Sequence, residues 1–129
     1  MADDDTPREY DREYTKPLPG PLQIREGYDA DRGEVIRFLV QLEYRRAGAW
    51  EPVVRYDHDG QGSSEATHDV TEEGIHVDVY RDAEKTATGA VSGPRDPNTA
   101  LDTAEDHLAQ NLQRYVERYE RWHGIDRHP

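Results

Sequence analysis

Residues 33–46 read GEVIRFLVQLEYRR, and the fold follows from how this stretch is patterned. Ile36, Phe38, Val40, Leu42 and Tyr44 occupy one phase of a two-residue alternation. Arg37, Gln41, Glu43 and Arg45 occupy the other, together with Val35 and Leu39. Successive side chains of an extended chain point to opposite faces, so this period marks a long β-strand with one face buried. Ala47-Gly48 supplies a short turn. WEPVVRYD (50–57) then returns as a second strand, with Trp50, Val54 and Tyr56 on one face. Pro52 has no N–H to give to a ladder, which predicts an edge or a bulge there.

Working outward, the chain loosens into Gly and Ser and resumes at THDV (67–70), which is expected to restart the sheet. TEEG turns it. IHVDVY (75–80) alternates again, with Ile75, Val77 and Val79 inward and His76, Asp78 and Tyr80 outward. RDAE makes another turn, and KTATGAV (85–91) a weaker last strand. Ile24 and its neighbours add a short strand before residue 33. From Pro97 the period changes to three and four residues: Leu101, Ala104, Leu108, Leu112, Tyr115, Tyr119 and Trp122 form one apolar stripe on a long helix. Asp96 suits its N-cap, Pro97 its first position and Gly124 its C′ position. The expected fold is α+β: an antiparallel β-sheet of four to six strands in meander order, with one long C-terminal α-helix packed on one face. Residues 1–20, with Pro7, Pro17 and Pro19, read as a disordered acidic arm, with a partner-binding role through Tyr10 and Tyr14 as the alternative. Residues 21–125 then form the single domain, and 126–129 a tail.

Composition sets the limits. A chain of 129 residues is one domain. It has no cysteine, which excludes disulfides, zinc–thiolate sites and thiol nucleophiles. No apolar run is long enough to span a membrane. MADDDTPREYDREY has the wrong chemistry for a signal peptide, so a cytoplasmic location is expected. Leu, Ile, Val and Phe make up 21 of 129 residues, below the roughly 20% under which a highly charged chain is expected to be disordered. The periodicity overrides that composition. The net charge of −12, with Lys16 and Lys85 the only lysines, is that of a protein adapted to concentrated salt. High salt screens the self-repulsion of such a chain.

Candidate catalytic residues lie around the break in VVRYDHDGQGSSEATHDV (53–70): Arg55, Asp57, His68, Asp69 and His76. His moves protons near neutral pH, a carboxylate orients it, and Arg holds a phosphate or a developing anion. The same His and Asp residues are also possible ligands for a divalent metal. A polar hairpin loop whose Arg and Asp pair across strands is the simpler reading of the same residues. Asp57, Asp59, Gln61, Gly62, Ser63 and Glu65 partly follow the spacing of an EF-hand loop, but His68 stands where its bidentate Glu belongs. His107, His123 and His128 are expected to be solvated. Tyr115, Tyr119 and Trp122 are candidate interface residues, because aromatics favour interface centres and a thin core gains from dimerisation. No phosphate-binding Gly loop, nucleophile elbow or His-Glu-x-x-His pattern occurs in the sequence.

FLVQLEYRRAGAWEPVVRYDHDGQ, followed by THDV and GIHVDVY, resembles a family of small uncharacterised haloarchaeal domains. The Arg-Tyr-Asp triplet, polar loop and later His are also similar to TumE-type toxin domains of toxin–antitoxin pairs, over about residues 33–90. That second likeness implies action on RNA, with Arg55 on phosphate, His68 and His76 as acid and base, and Asp57 or Asp69 orienting a histidine. TumE-type domains are richer in His, with adjacent pairs, whereas His58, His68 and His76 are separated here. The leading expectation is a binding or interaction domain acting as a homodimer, without cofactor. A ribonuclease or RNA-binding domain is the alternative.

Overall fold

The computed structural model describes residues 10–60 and 68–126. Six strands form one antiparallel sheet in the order of the sequence: β1 (Arg12–Leu18), β2 (Leu22–Asp31), β3 (Glu34–Arg46), β4 (Ala49–Asp59), β5 (Ile75–Arg81) and β6 (Glu84–Ser92). The one helix among the described residues, α1 (Pro97–Trp122), packs on β3, β4 and β5. The expected α+β meander with one long C-terminal helix is the observed fold. No helix among the described residues is long and apolar enough to cross a membrane.

The alternation of residues 36–44 works as expected. Phe38, Val40, Leu42 and Tyr44 are buried and join Val54, Tyr56, Ile75, Val77, Val79, Leu101, Ala104, Leu108, Tyr115 and Tyr119 in one core. Ile36 shares their phase but is 45% exposed. The β2–β3 ladder bulges here: Arg37 pairs with Asp29 but Val35 with Ala30, which leaves Ile36 as the extra residue and turns Val35 towards the core in its place.

The helix ends match their signals. The Asp96 carboxylate accepts from Thr99 N at 3.1 Å, and Pro97 occupies the first turn. At the other end Ile125 N bonds to Glu120 O at 2.8 Å and Gly124 N to Arg121 O at 3.4 Å, the double bond of a Schellman cap with Gly124 at φ +64°. Asp96→Ala removes one N-terminal acceptor and is expected to cost about 1 kcal/mol in urea unfolding, with the m-value unchanged. A loss below about 0.3 kcal/mol would show that the helix is held by packing alone.

Three local expectations are corrected. Residues 12–18 do not belong to a disordered arm, because they form β1 and pair with β2 from Arg12–Tyr28 to Leu18–Leu22. Tyr10 is buried, with the Arg37 guanidinium 4.1 Å from its ring centroid. It lies so close to β2 that a Cβ at Gly27 would stand 2.7 Å from the ring, and only a residue without one fits there. Residues 1–9 and 127–129, which include His128, lie outside the described residues. Second, the return strand does bulge at Pro52: Leu42 pairs with Val54 but Glu43 with Pro52, leaving Val53 as the extra residue. The bulge reverses parity, so Trp50, paired with Arg45, lies on the face opposite Val54 and Tyr56. Third, residues 68–70 are not a strand. Val70 N bonds to His58 Nδ1 at 3.0 Å and Asp59 N to His68 O at 2.8 Å, which folds the segment over the end of β4.

The sheet face away from α1 carries Leu39, Gln41, Glu43, Asp57 and Asp78, all buried although no helix or second sheet among the described residues covers them. Their cover is a net of neighbouring polar side chains. Arg25 pairs with Glu13 at 2.6 Å and Arg37 with Asp29 at 2.9 Å. Glu43 accepts from both Gln23 and Gln41 at 2.6 Å.

Candidate functional site

Ladder register decides which polar side chains meet. Gln41 pairs with Arg55, Arg55 with Asp78, and Asp78 with Thr88, so one row crosses β3 to β6 on the open face. Asp57 and His76 are each two residues along from Arg55 and Asp78, so they share that face. The 68–73 turn then brings the His68 ring over Asp78. Four of the five candidates, Arg55, Asp57, His68 and His76, are brought to one region, joined by Asp78.

The fifth, Asp69, is not. Its Oδ1 accepts from Thr71 N at 3.0 Å and from Thr71 Oγ1 at 2.5 Å, and lies 3.9 Å from His58 Nδ1. The carboxylate caps the turn, and the Thr71 hydroxyl holds its pKa below the usual range. His58 pairs with Phe38 on the helix side of the sheet, and burial lowers its pKa. These two residues anchor the turn that carries His68.

His68 is the centre of the cluster. Its Nε2 lies 3.1 Å from Asp78 Oδ1 and its Nδ1 3.2 Å from Glu73 Oε1. Burial pulls its pKa down, but the hydrogen bonds to Asp78 and Glu73 outweigh that and the net shift is upward. The His76 ring stacks on it with centroids 4.9 Å apart. Asp57 Oδ1 accepts from the His68 backbone N at 3.0 Å, and burial pushes the Asp57 carboxyl up to about 6. Thr88 Oγ1 donates to Asp78 Oδ1 at 2.8 Å. Lys85 Nζ stands 3.6 Å from Asp78 Oδ2.

Three atoms of this cluster are buried without a hydrogen-bond partner among the described residues: Asp57 Oδ2, Asp78 Oδ2 and His76 Nδ1. A buried polar atom left unpaired costs about 1–3 kcal/mol, which makes three in one place a signature of a site completed by something else. Arg55 donates Nε to the neutral Gln41 at 2.8 Å, and its guanidinium lies 5.5 Å from the Tyr80 ring centroid. Unlike Arg25 and Arg37 on the same face, it makes no ion pair among the described residues, so its charge is available to a ligand.

Asp78, the most buried carboxylate of the set, was not among the expected site residues. Its signal in the sequence is a lone Asp in the outward phase of IHVDVY, beside Arg55 only if the register is known. Of the EF-hand spacing, Asp57 and Asp59 lie within β4, and Gln61, Gly62, Ser63 and Glu65 lie outside the described residues. The expected interface residues are engaged within the chain. Tyr115 and Tyr119 are 2% and 1% exposed, and Tyr119 donates to Glu51. Trp122 packs at the core margin with Arg81 and Arg118 over its ring. His107 bonds to the Tyr56 hydroxyl at 2.7 Å, and His123 to Asp82 at 3.0 Å, so neither is merely solvated.

A concavity of about 380 Å³ lies between β1, β2 and α1, away from that cluster, with Val40, Leu108 and Leu112 as its floor and Tyr14, Lys16, Glu26 and Glu105 at its rim. Burial and the neighbouring Glu26 push Glu105 up to about 8. Tyr14 already donates to Glu26, so this rim lacks the unpaired atoms of the open face.

No curated protein and no solved structure matches the chain. A family model does, across residues 5–125, nearly the whole length and all of the sheet and helix just described. The chain therefore belongs to the family described as a domain of unknown function, DUF7718.

Proposed function

We propose that this domain binds and cleaves RNA phosphodiesters at the open face of its sheet. The observation that carries the reading is that Arg55, with no carboxylate partner among the described residues, shares that face with the stacked pair His68 and His76. Diagonal neighbours on a sheet face are about 7–8 Å apart, the reach of a single phosphodiester. Arg55 holds the phosphate oxygens. His76, whose ring makes no hydrogen bond among the described residues, takes the proton of the ribose 2′-hydroxyl at its outer nitrogen as the hydroxyl oxygen bonds to phosphorus. The P–O5′ bond breaks, and the departing oxygen takes a proton from water. His68 is no general base in this scheme, because both its ring nitrogens are engaged by carboxylates. It positions Asp57, Asp78 and His76 instead.

The net charge of −12 opposes RNA binding in dilute buffer and is screened in concentrated salt. The test is turnover of a fluorophore-quenched oligoribonucleotide in molar KCl. Wild type is expected to cleave it and to leave the all-deoxy analogue intact. His76→Ala should lower kcat by about 100-fold or more, and Arg55→Ala should mainly raise KM. Absence of cleavage by the folded wild type, with and without added divalent metal, would refute the reading.

A further inference from the structure

We infer that Asp57, His68 and Asp78 form a binding site for one divalent first-row transition metal ion. The inference deepens the reading above and rests on it for the location of the site, but not for its chemistry. One potential ligand atom from each of the three residues lies within 4.8 Å of those of the other two. Small side-chain rotations bring such a set to metal bonds of about 2.0–2.2 Å.

What makes this more than a group of acids is how each residue is held. A metal ligand characteristically uses one atom on the ion and ties its other atom to a supporting group. Asp57 Oδ1 is tied by the His68 backbone N–H at 3.0 Å, and its Oδ2 is buried and unpaired among the described residues. Asp78 Oδ1 is tied by Thr88 Oγ1 at 2.8 Å and faces His68 Nε2 at 3.1 Å, and its Oδ2 is buried without a hydrogen bond among the described residues. His68 Nδ1 is tied to Glu73 at 3.2 Å, which turns Nε2 towards the carboxylates. That is the carboxylate–histidine–metal arrangement, with the tautomer chosen by the outer carboxylate. Asp57 and Asp78 are 3% and 0% exposed. Two buried carboxylates this close repel one another unless a cation lies between them.

His68, held between Asp78 and Glu73, and Lys85 are the groups of the chain that can bring positive charge to these carboxylates; an ion bound at Nε2 takes the place of the His68 proton, and Lys85 fits poorly. Its Nζ is 3.6 Å from Asp78 Oδ2, and it is carried by an exposed edge strand from which it can withdraw. One imidazole with two carboxylates is a mixed nitrogen and oxygen set that suits Zn²⁺ or Mn²⁺ better than Mg²⁺ or Ca²⁺. A bound ion also places positive charge beside Arg55, which gives an acidic protein a local attraction for phosphate.

The experiment is calorimetric titration of the EDTA-stripped full chain with Zn²⁺, Mn²⁺ and Mg²⁺, with the absorption bands of added Co²⁺ as a second readout. One Zn²⁺ or Mn²⁺ per chain is expected, and Mg²⁺ should bind far more weakly. Asp57→Asn and Asp78→Asn should abolish saturation at millimolar metal while keeping the circular dichroism spectrum, since each Asn retains its supporting hydrogen bond and removes a buried charge. Glu73→Gln and Thr88→Val should weaken binding by about 10- to 100-fold. His76→Ala should keep the affinity. No saturation of wild type by Zn²⁺ or Mn²⁺, unchanged affinity in both Asn variants, or a loss in His76→Ala equal to that in Asp57→Asn would each overturn the assignment. A metal-saturated protein that leaves RNA intact would refute the ribonuclease reading alone. A stripped protein that cleaves RNA and takes up no ion would refute the metal site alone.

Discussion

Leu42→Ala should lower the unfolding free energy by about 3–4 kcal/mol. Leu42 is fully buried at the middle of the longest strand, between Ile24 of β2 and Val54 of β4. Truncation removes the transfer free energy of three carbons and leaves a cavity that central strands, laddered on both sides, cannot close. The loss is a large share of the total, because domains of this size are held by only about 5–15 kcal/mol. The control lies on the same strand, beyond the bulge that takes it off the core face: Ile36, 45% exposed, loses little buried area as Ala and should cost under about 1 kcal/mol. Urea titrations of the two variants decide the point. Equal losses at Leu42 and Ile36 would mean that the helix does not cover this face as described.

Gly74→Ala should cost about 3 kcal/mol or more. Two penalties act together. Gly74 has φ +83°, a left-handed conformation that costs an L-residue roughly 1–2 kcal/mol. A Cβ there would also stand 2.3 Å from Ser92 O and 2.9 Å from Gly93 C, both backbone atoms with little room to yield. Ser92 pairs with Ile75 at the end of the β5–β6 ladder, and the chain runs from it into the segment where Arg95 N bonds to Val70 O. The substitution therefore parts the last ladder rung and loosens the turn that carries His68. Gly48→Ala isolates the conformational part, because Gly48 has φ +81° and nothing within 4 Å of its added Cβ. Thermal unfolding of both variants at one salt concentration should show Gly74→Ala far below Gly48→Ala. Matching melting points would remove the steric argument.

The elements read from periodicity and the elements found agree where a buried face spans many residues. Residues 36–44, 75–79 and 101–122 each repeat one pattern often enough that local exceptions do not matter. β1 escaped notice because an edge strand rich in charge, with Pro17 at its end, carries no apolar rhythm. Its cohesion comes from pairing with β2 and from pairs such as Arg25 and Glu13. THDV reads as a strand because Thr and Val favour extended chain, yet its polar groups find partners in His58 and Glu73 rather than in a neighbouring strand. Asp69 invites a catalytic reading beside His68, but its short side chain bonds to its own turn first, as Asp commonly does.

Residue order alone determined the α+β class, the meander, the helix with both its caps and the direct consequence of alternation, that Arg55 and Asp57 share a face. These follow from periods of 2 and about 3.6 residues, which are local properties of the chain. Only the tertiary structure decided that Asp78 joins Arg55, that the Pro52 bulge sends Trp50 to the other side, and that the turn after residue 67 lays His68 across two buried carboxylates. Those outcomes depend on ladder register and on which polar atoms run out of partners. Register is set by the whole sheet packing against its helix, and a one-residue slip would have exchanged every side chain between the two faces.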